Sequence, residues 1–462
     1  MPSPTARGVG RRLALAACII STVLGVAHTT APAQTLARPG WVGSGLNTDP
    51  WWQHAIFYQI SSPNPDFKDI AARLDALRSL GVDAILLPAP SLPTQSQPST
   101  APDQTLDDFD ELIRQGSRAG IRILVSLPAS GATPDLARFW LNRGIAGLRI
   151  VPTPGTSPQQ TQNLVQTLRK LTAGVVGQRI VLSGYDSAPL AAPIASRPAR
   201  QPTRRASTGP TPRSPDPTPA AGQLLVDSSL SALNQPDAMT LRSILTQTLT
   251  QPNLLLQFQP PTAPPGSPDP YPALAHAIAA ILLTTHTAAL IDSSENLVLK
   301  PIVPPTPEAA APPTPAPPQP SSGFSTFTLV VPHPAPPAPK PPTPEMLAAL
   351  ALTDWYKQLA VLHHGNAAFR SGSITLLNFD QQNALVWVAR PPAVSTLTPP
   401  VVVLCNLSSS PVKLALGTAI KALNLRGHYL HTLLRSDNAM GAQDIDAVAL
   451  SPFSVYIGEL RR

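Results

Sequence analysis

From Ile56 onward the chain alternates short apolar runs with stretches in which apolar positions recur every three or four residues. Ile56-Phe57-Tyr58-Gln59-Ile60 reads as a strand, and Ile70, Leu74, Leu77 and Leu80 mark one face of a helix that Gly81 stops. Residues 82–87 and 121–127 are apolar nearly throughout, as strands covered on both faces are, and Phe109, Leu112 and Ile113 stripe the helix between them. Further strands are predicted at 147–151, 179–183, 223–226, 254–258 and 288–291, with helices near 134–143, 159–172, 237–250 and 271–284. Each parallel strand needs a crossover to bring the chain back to the same edge, and eight such strands close a barrel. The pattern therefore predicts an α/β fold, a (β/α)8 TIM-type barrel.

The periodicity changes after a helix at 345–362. Residues 374–379, 384–389, 401–406, 412–416, 429–434 and 454–460 alternate with turn residues in the manner of antiparallel strands, so a small C-terminal antiparallel β-sandwich is expected.

Composition adds two interruptions. The 462 residues hold 59 prolines against 26 glycines, and only 13% are charged. The prolines crowd into 193–222 and 301–344, where missing amide hydrogens forbid a regular ladder; both read as extended polyproline-like segments. The first carries Arg197, Arg200, Arg204, Arg205 and Arg213 against Asp216, which fits a charge-solubilised linker or a contact with an anionic envelope or polymer. Within the second, 324–331 resembles a lone strand.

At the N-terminus, Arg7, Arg11 and Arg12 precede an apolar run from Leu13 to Ala27 and then Ala31-Pro32-Ala33, the pattern of a cleavable secretory signal. The run falls short of the ~20 residues that cross a bilayer, so no stable membrane span is expected. Leu15-Ala16-Ala17-Cys18 as a lipoprotein box and Arg11-Arg12 as a twin-arginine signal stay open beside it. Loss of the signal leaves Cys405 alone, without an intrachain disulfide, and lowers the formal charge of +7 by three, which indicates no nucleic-acid surface. The expected organisation is a signal at 1–33, a linker at 34–50, a barrel at 51–300 with the 193–222 insertion, a linker at 301–344, a last barrel helix at 345–372 and the β domain at 373–462.

Several segments resemble the α-amylase superfamily, glycoside hydrolase family 13. Trp51-Trp52 leading to Phe57-Tyr58-Gln59-Ile60, then Arg73-Leu74-Asp75-Ala76-Leu77 and Leu80-Gly81-Val82-Asp83-Ala84-Ile85, are similar to its first strand, first helix and second strand. Phe139-Trp140-Leu141-Asn142-Arg143-Gly144-Ile145-Ala146-Gly147-Leu148-Arg149-Ile150, with Gly120-Ile121-Arg122-Ile123, is similar to the helix and strand that end on the family's nucleophile. Leu404-Cys405-Asn406-Leu407-Ser408 and Leu450-Ser451-Pro452-Phe453 resemble its terminal β domain.

The resemblance implies hydrolysis or transfer of α-glucosides with retention, which requires two carboxyl groups ~5 to 5.5 Å apart. It also implies that these groups are missing. Val151 stands at the nucleophile position and has no lone pair with which to form a glycosyl-enzyme bond. Tyr185 follows Gly184 where the acid belongs, with Asp186 as a substitute after a one-residue slip. Gln259, in the run Gln257-Phe258-Gln259-Pro260-Pro261, stands where the third carboxylate should be, and Ser126, Pro128, Ala129 and Ser130 replace the residues that contact the sugar. Arg149, which in the family steers the nucleophile, remains; with Tyr58 it is a candidate for substrate binding.

Asp227 and Asp292 end strands and serve either as caps or as a new acid pair. His363-His364 reads as a solvated helix end, and no cluster has metal-ligand spacing, so no metal or cofactor is called for. Two functions remain in view. One is a catalytically silent scaffold that binds a carbohydrate such as an α-glucan or a protein, as heavy chains of heteromeric amino-acid transporters do on the same framework. The other is a glycoside hydrolase or transglycosidase whose acid has moved to Asp186 or Asp227.

Overall fold

The computed structural model describes residues 50–90, 101–184, 223–233, 237–251, 253–260, 271–295, 297–299, 343–377, 382–437, 439 and 441–462. These lie in one compact unit, Asp49–Arg462. The expected signal at 1–33, the residues up to 49, the insertion at 193–222, the lone strand at 324–331 and the linker up to 342 lie outside the described residues.

Strands and helices alternate as the periodicity predicts: β1 Ile56–Gln59, α1 Phe67–Ala72, α2 Leu74–Leu80, β2 Ala84–Pro88, α3 Ala101–Ala119, β3 Arg122–Pro128, α4 Pro134–Asn142, β4 Gly147–Val151, α5 Pro158–Ala173, β5 Ile180–Gly184, β6 Gln223–Asp227, α6 Ala238–Thr248, β7 Leu254–Leu256, α7 Tyr271–Thr284, β8 Ala289–Asp292 and α8 Pro344–Gly365. The eight strands are parallel in the order β7-β6-β5-β4-β3-β2-β1-β8, a (β/α)8 barrel. Three-residue β7 and its neighbour β8 share no ladder among the described residues.

The helices begin where side chains can satisfy their first amides. Asp66 accepts from the amides of Lys68 and Asp69, Thr133 from that of Leu136, and Ser157 with Gln160 forms a reciprocal capping box. The single helix expected over 70–80 is two. Arg73 adopts φ −97° and ψ 0°, and its amide bonds back to Ile70 rather than continuing the ladder. The apolar stripe survives the break because Ile70, Leu74, Leu77 and Leu80 all stay buried.

Residue parity sorts the barrel into two cores. Phe57, Leu124, Leu182, Leu224, Leu255 and Leu290 point inward and pack with Trp52, which enters from the 3-10 turn Trp51–His54. The alternate residues Ile56, Tyr58, Val125, Leu148, Ile150 and Ile291 point outward against the helices.

Past α9 (Ala367–Ser371) come β9 Ser373–Leu377, β10 Ala384–Arg390, β11 Val401–Asn406, β12 Val412–Leu414, α10 Gly417–Ala422, β13 Tyr429–Arg435, β14 Gln443–Asp444, β15 Val448–Leu450 and β16 Val455–Arg461. Six strands form an antiparallel sheet, β14-β13-β16-β11-β10-β9, and β12 pairs with β15. Val386, Val402, Leu404 and Tyr456 on one face of the large sheet pack with Leu414 and Val448 of the small one and with Ile420 of α10. Leu385, Trp387, Val403 and Ile457 on the other face join the helical core of the barrel. Among the described residues no helix is long and apolar enough to cross a membrane.

Candidate functional site

A barrel offers chemistry where its strands end, and parity decides which end residues face the mouth. Inward parity gives Gln59 on β1, Ser126 on β3, Arg149 and Val151 on β4, Gly184 on β5, Gln257 and Gln259 beyond β7 and Asp292 on β8.

Arg149 is the centre of this layer. Its guanidinium donates through Nη1 to Oε1 of Gln59 and through Nη2 to Oε1 of Gln257 at 2.8 Å. Gln257 also donates to Gln59 at 3.3 Å, so the three side chains brace one another across the barrel. Burial lowers the Arg149 pKa to about 10 and Asp292 opposes that shift, which leaves the group cationic at neutral pH.

Asp292 anchors the opposite side and is buried. Its Oδ2 accepts from Ser61 Oγ at 2.7 Å and Gln259 Nε2 at 3.1 Å; its Oδ1 accepts from the Ser294 amide at 2.9 Å and the Ser294 hydroxyl at 2.7 Å. Gln59 donates to Ser61 at 3.2 Å, which completes a hydrogen-bonded path from Arg149 to Asp292. A carboxylate holding four donors is a fixed counter-charge, with little electron density left for attack on a sugar.

Behind Asp292, Glu295 accepts from the Tyr356 hydroxyl of α8, and burial pushes its carboxyl up to about 8, with Asp292 adding to the rise. This acid packs against α8, and its amide donates to the Asp292 carbonyl at 3.2 Å.

The structure brings together some of the candidates named from sequence and separates others. Val151 stands one inward position above Arg149, 37% exposed, with Ser126 and Gly184 on the flanking strands. Gln259 lies in the mouth as expected and holds Asp292. Tyr58 does not face the mouth: it is 3% exposed in the layer between sheet and helices, and burial there, with Asp292 nearby, raises its pKa. Tyr185 and Asp186 lie outside the described residues. Asp227 has outward parity and accepts from the Ser229 amide at 2.9 Å, the local role of a cap.

The histidine pair is the clearest correction. His363 is fully buried, with Nδ1 bonded to the Leu283 carbonyl at 2.8 Å, and His364 lies 3.3 Å from Asp83 and 3.1 Å from the Gly81 carbonyl. They fasten α8 to the bottom of the barrel instead of sitting in solvent. No group of three or more metal-ligating side chains occurs among the described residues.

Gln59 and Gln257 were not anticipated, because glutamine carries no chemical signature of its own. The signal was parity: each follows an inward apolar residue, Phe57 or Leu255, by two positions.

No protein-family model matches the chain. Over 107 residues it is 37% identical to trehalose-6-phosphate hydrolase of Escherichia coli (strain K12), covering 19% of each protein. Over 111 residues it is 31% identical to an alpha-glucosidase of Pediococcus pentosaceus, covering 20% of each. The matched stretch thus spans about a fifth of the length of these relatives. The fold is similar to that of a mutant trehalulose synthase solved in complex with Tris, with a TM-score of 0.57 at 16% identity, over 89% of this chain and 100% of that one. It is also similar to isomaltulose synthase PalI from Klebsiella sp. LX3, with a TM-score of 0.55 at 14% identity, over 90% and 100%. At such identities the likeness speaks for the fold, and together with the two sequence matches it bears out the resemblance to the α-amylase superfamily.

Proposed function

We propose that this chain, an α-amylase-like barrel with a terminal β domain, is exported and binds a ligand at its mouth without hydrolysing it. The observation that carries this reading is Val151. It occupies the inward position directly above Arg149, where a nucleophilic carboxylate would have to stand, and an isopropyl group can neither attack an anomeric carbon nor be protonated. Asp292, across the mouth, is saturated by its donors. Among the described mouth residues no second carboxyl completes a pair at the ~5 to 5.5 Å separation that retention requires.

A carbohydrate is the favoured ligand over a protein partner, because Gln59, Gln257, Gln259 and Ser61 line the mouth with amide and hydroxyl groups of the kind that meet sugar hydroxyls. The two relatives matched in sequence are named trehalose-6-phosphate hydrolase and alpha-glucosidase. The basic and apolar pattern of residues 1–33 supports export.

The rival reading, a glycoside hydrolase or transglycosidase with a relocated acid, is favoured by one observation, the inward carboxylate of Asp292. Release of reducing ends from a panel of α-glucans and α-glucosides decides between the two. The purified mature chain is expected to release none, while titration calorimetry detects binding. Turnover abolished by Asp292→Asn or Asp186→Ala would overturn the silent reading.

A further inference from the structure

We propose that the mouth takes an acidic sugar, a glycoside bearing a carboxylate, and that this carboxylate docks on Arg149 in the space above β4 where Val151 supplies no acid. The proposal rests on the ligand-binding reading above and names its ligand class.

Three observations carry it. First, both acceptors that Arg149 has among the described residues are neutral amide oxygens, those of Gln59 and Gln257. An inward-facing guanidinium held only by amides keeps its full charge without a counter-ion in contact, and its partial removal from water strengthens its attraction for an anion. Asp292 acts on its electrostatics without an ion pair between the two among the described residues; they are linked through Gln59 and Ser61.

Second, the described residues on the side of the mouth away from Asp292 are small. Ser126 lies in register with Arg149 on β3, Val151 stands above it and Gly184 ends β5. The Ser126 hydroxyl makes no hydrogen bond within the described residues, so it is available to donate to the same anion. A carboxylate suits this corner, because each Nη of Arg149 keeps one hydrogen beyond its bond to a glutamine and the serine supplies a further donor.

Third, the charges are arranged to orient such a ligand. Asp292 ends β8, across the barrel from β4, with four donors on its carboxylate, so its charge disfavours a second carboxylate beside it and favours one on the side of Val151. The sugar hydroxyls then face Gln257, Gln259 and Ser61.

The test compares methyl α-D-glucuronide with methyl α-D-glucoside by titration calorimetry at pH 7 in a carboxylate-free buffer of low salt. The uronide is expected to bind the full mature chain about ten- to hundred-fold more tightly than the glucoside, the gain of one charge-assisted contact. Arg149→Gln should erase that preference. Val151→Asp should erase it as well, because an internal carboxylate then occupies the corner; at 37% exposure the new side chain stays solvated and the fold is kept. Equal affinity for the two glycosides, or a preference that survives Val151→Asp, overturns the acidic-ligand proposal and leaves carbohydrate binding standing. Absence of binding by both glycosides overturns this proposal together with the broader reading.

Discussion

His363 shows how one buried side chain ties stability to pH. Its ring is fully enclosed between α8 and α7, where burial, aided by His364, lowers its pKa from 6.5 to about 4. The unfolded chain therefore takes up a proton between pH 6.5 and 4 that the native state refuses. The stabilisation from the neutral ring is complete above pH 6.5 and is lost as the pH falls toward 4, by about 3 kcal/mol across the window. Urea midpoints at pH 7 and pH 5 should differ more for the wild type than for His363→Asn, whose amide can still donate to the Leu283 carbonyl. An equal acid sensitivity would remove His363 from the account. Sequence could not foretell this burial, because a histidine pair near a helix end looks alike whether that end meets water or the base of a barrel. Val151 was legible for the opposite reason: it follows Arg149 by two within a strand motif of recognisable order, and parity alone fixes where it points.

At the scale of elements, the junction of α2 and β2 depends on Gly81. Its φ of +95° lies in the left-handed region that ends helices, and its Cα approaches α8 so closely that an added Cβ would lie 2.7 Å from the Ala360 Cβ. Gly81→Ala thus combines backbone strain with displacement of α8, and a loss of about 1–3 kcal/mol is expected in chemical denaturation. A loss below ~0.5 kcal/mol would show that α8 moves aside freely. Elements with strong periodicity were readable from residues alone, and the eight barrel strands differ from expectation by one or two positions at most of their ends. Those set by local geometry were not. The break at Arg73 keeps the apolar stripe intact and so leaves no mark in the pattern. Helix α10 buries only Gly417 and Ile420, too few positions to establish a period.

At the scale of the molecule, barrel and β domain share one core. Leu385, Trp387, Val403 and Cys405 of the sheet pack in the same apolar cluster as Trp355, Tyr356 and Phe369 of the helical layer. Arg242 of α6 donates to the Ala384 carbonyl at 3.0 Å across the junction, through a buried contact. Two domains whose apolar surfaces are each other's cover cannot unfold separately without exposing that surface to water, so cooperative loss is expected. Cys405 is a native probe of this coupling, because its thiol is fully buried in β11 and burial raises its pKa far above that of a free thiol. In a Cys18→Ser background, a disulfide reagent should leave Cys405 untouched in buffer and modify it over the urea range in which helical circular dichroism is lost. The helical signal comes almost wholly from the barrel and the thiol lies in the β domain, so coincident transitions establish one cooperative unit. Modification of Cys405 at urea concentrations where the helical signal is intact would show that the β domain opens first and that the shared core is weaker than its continuity implies.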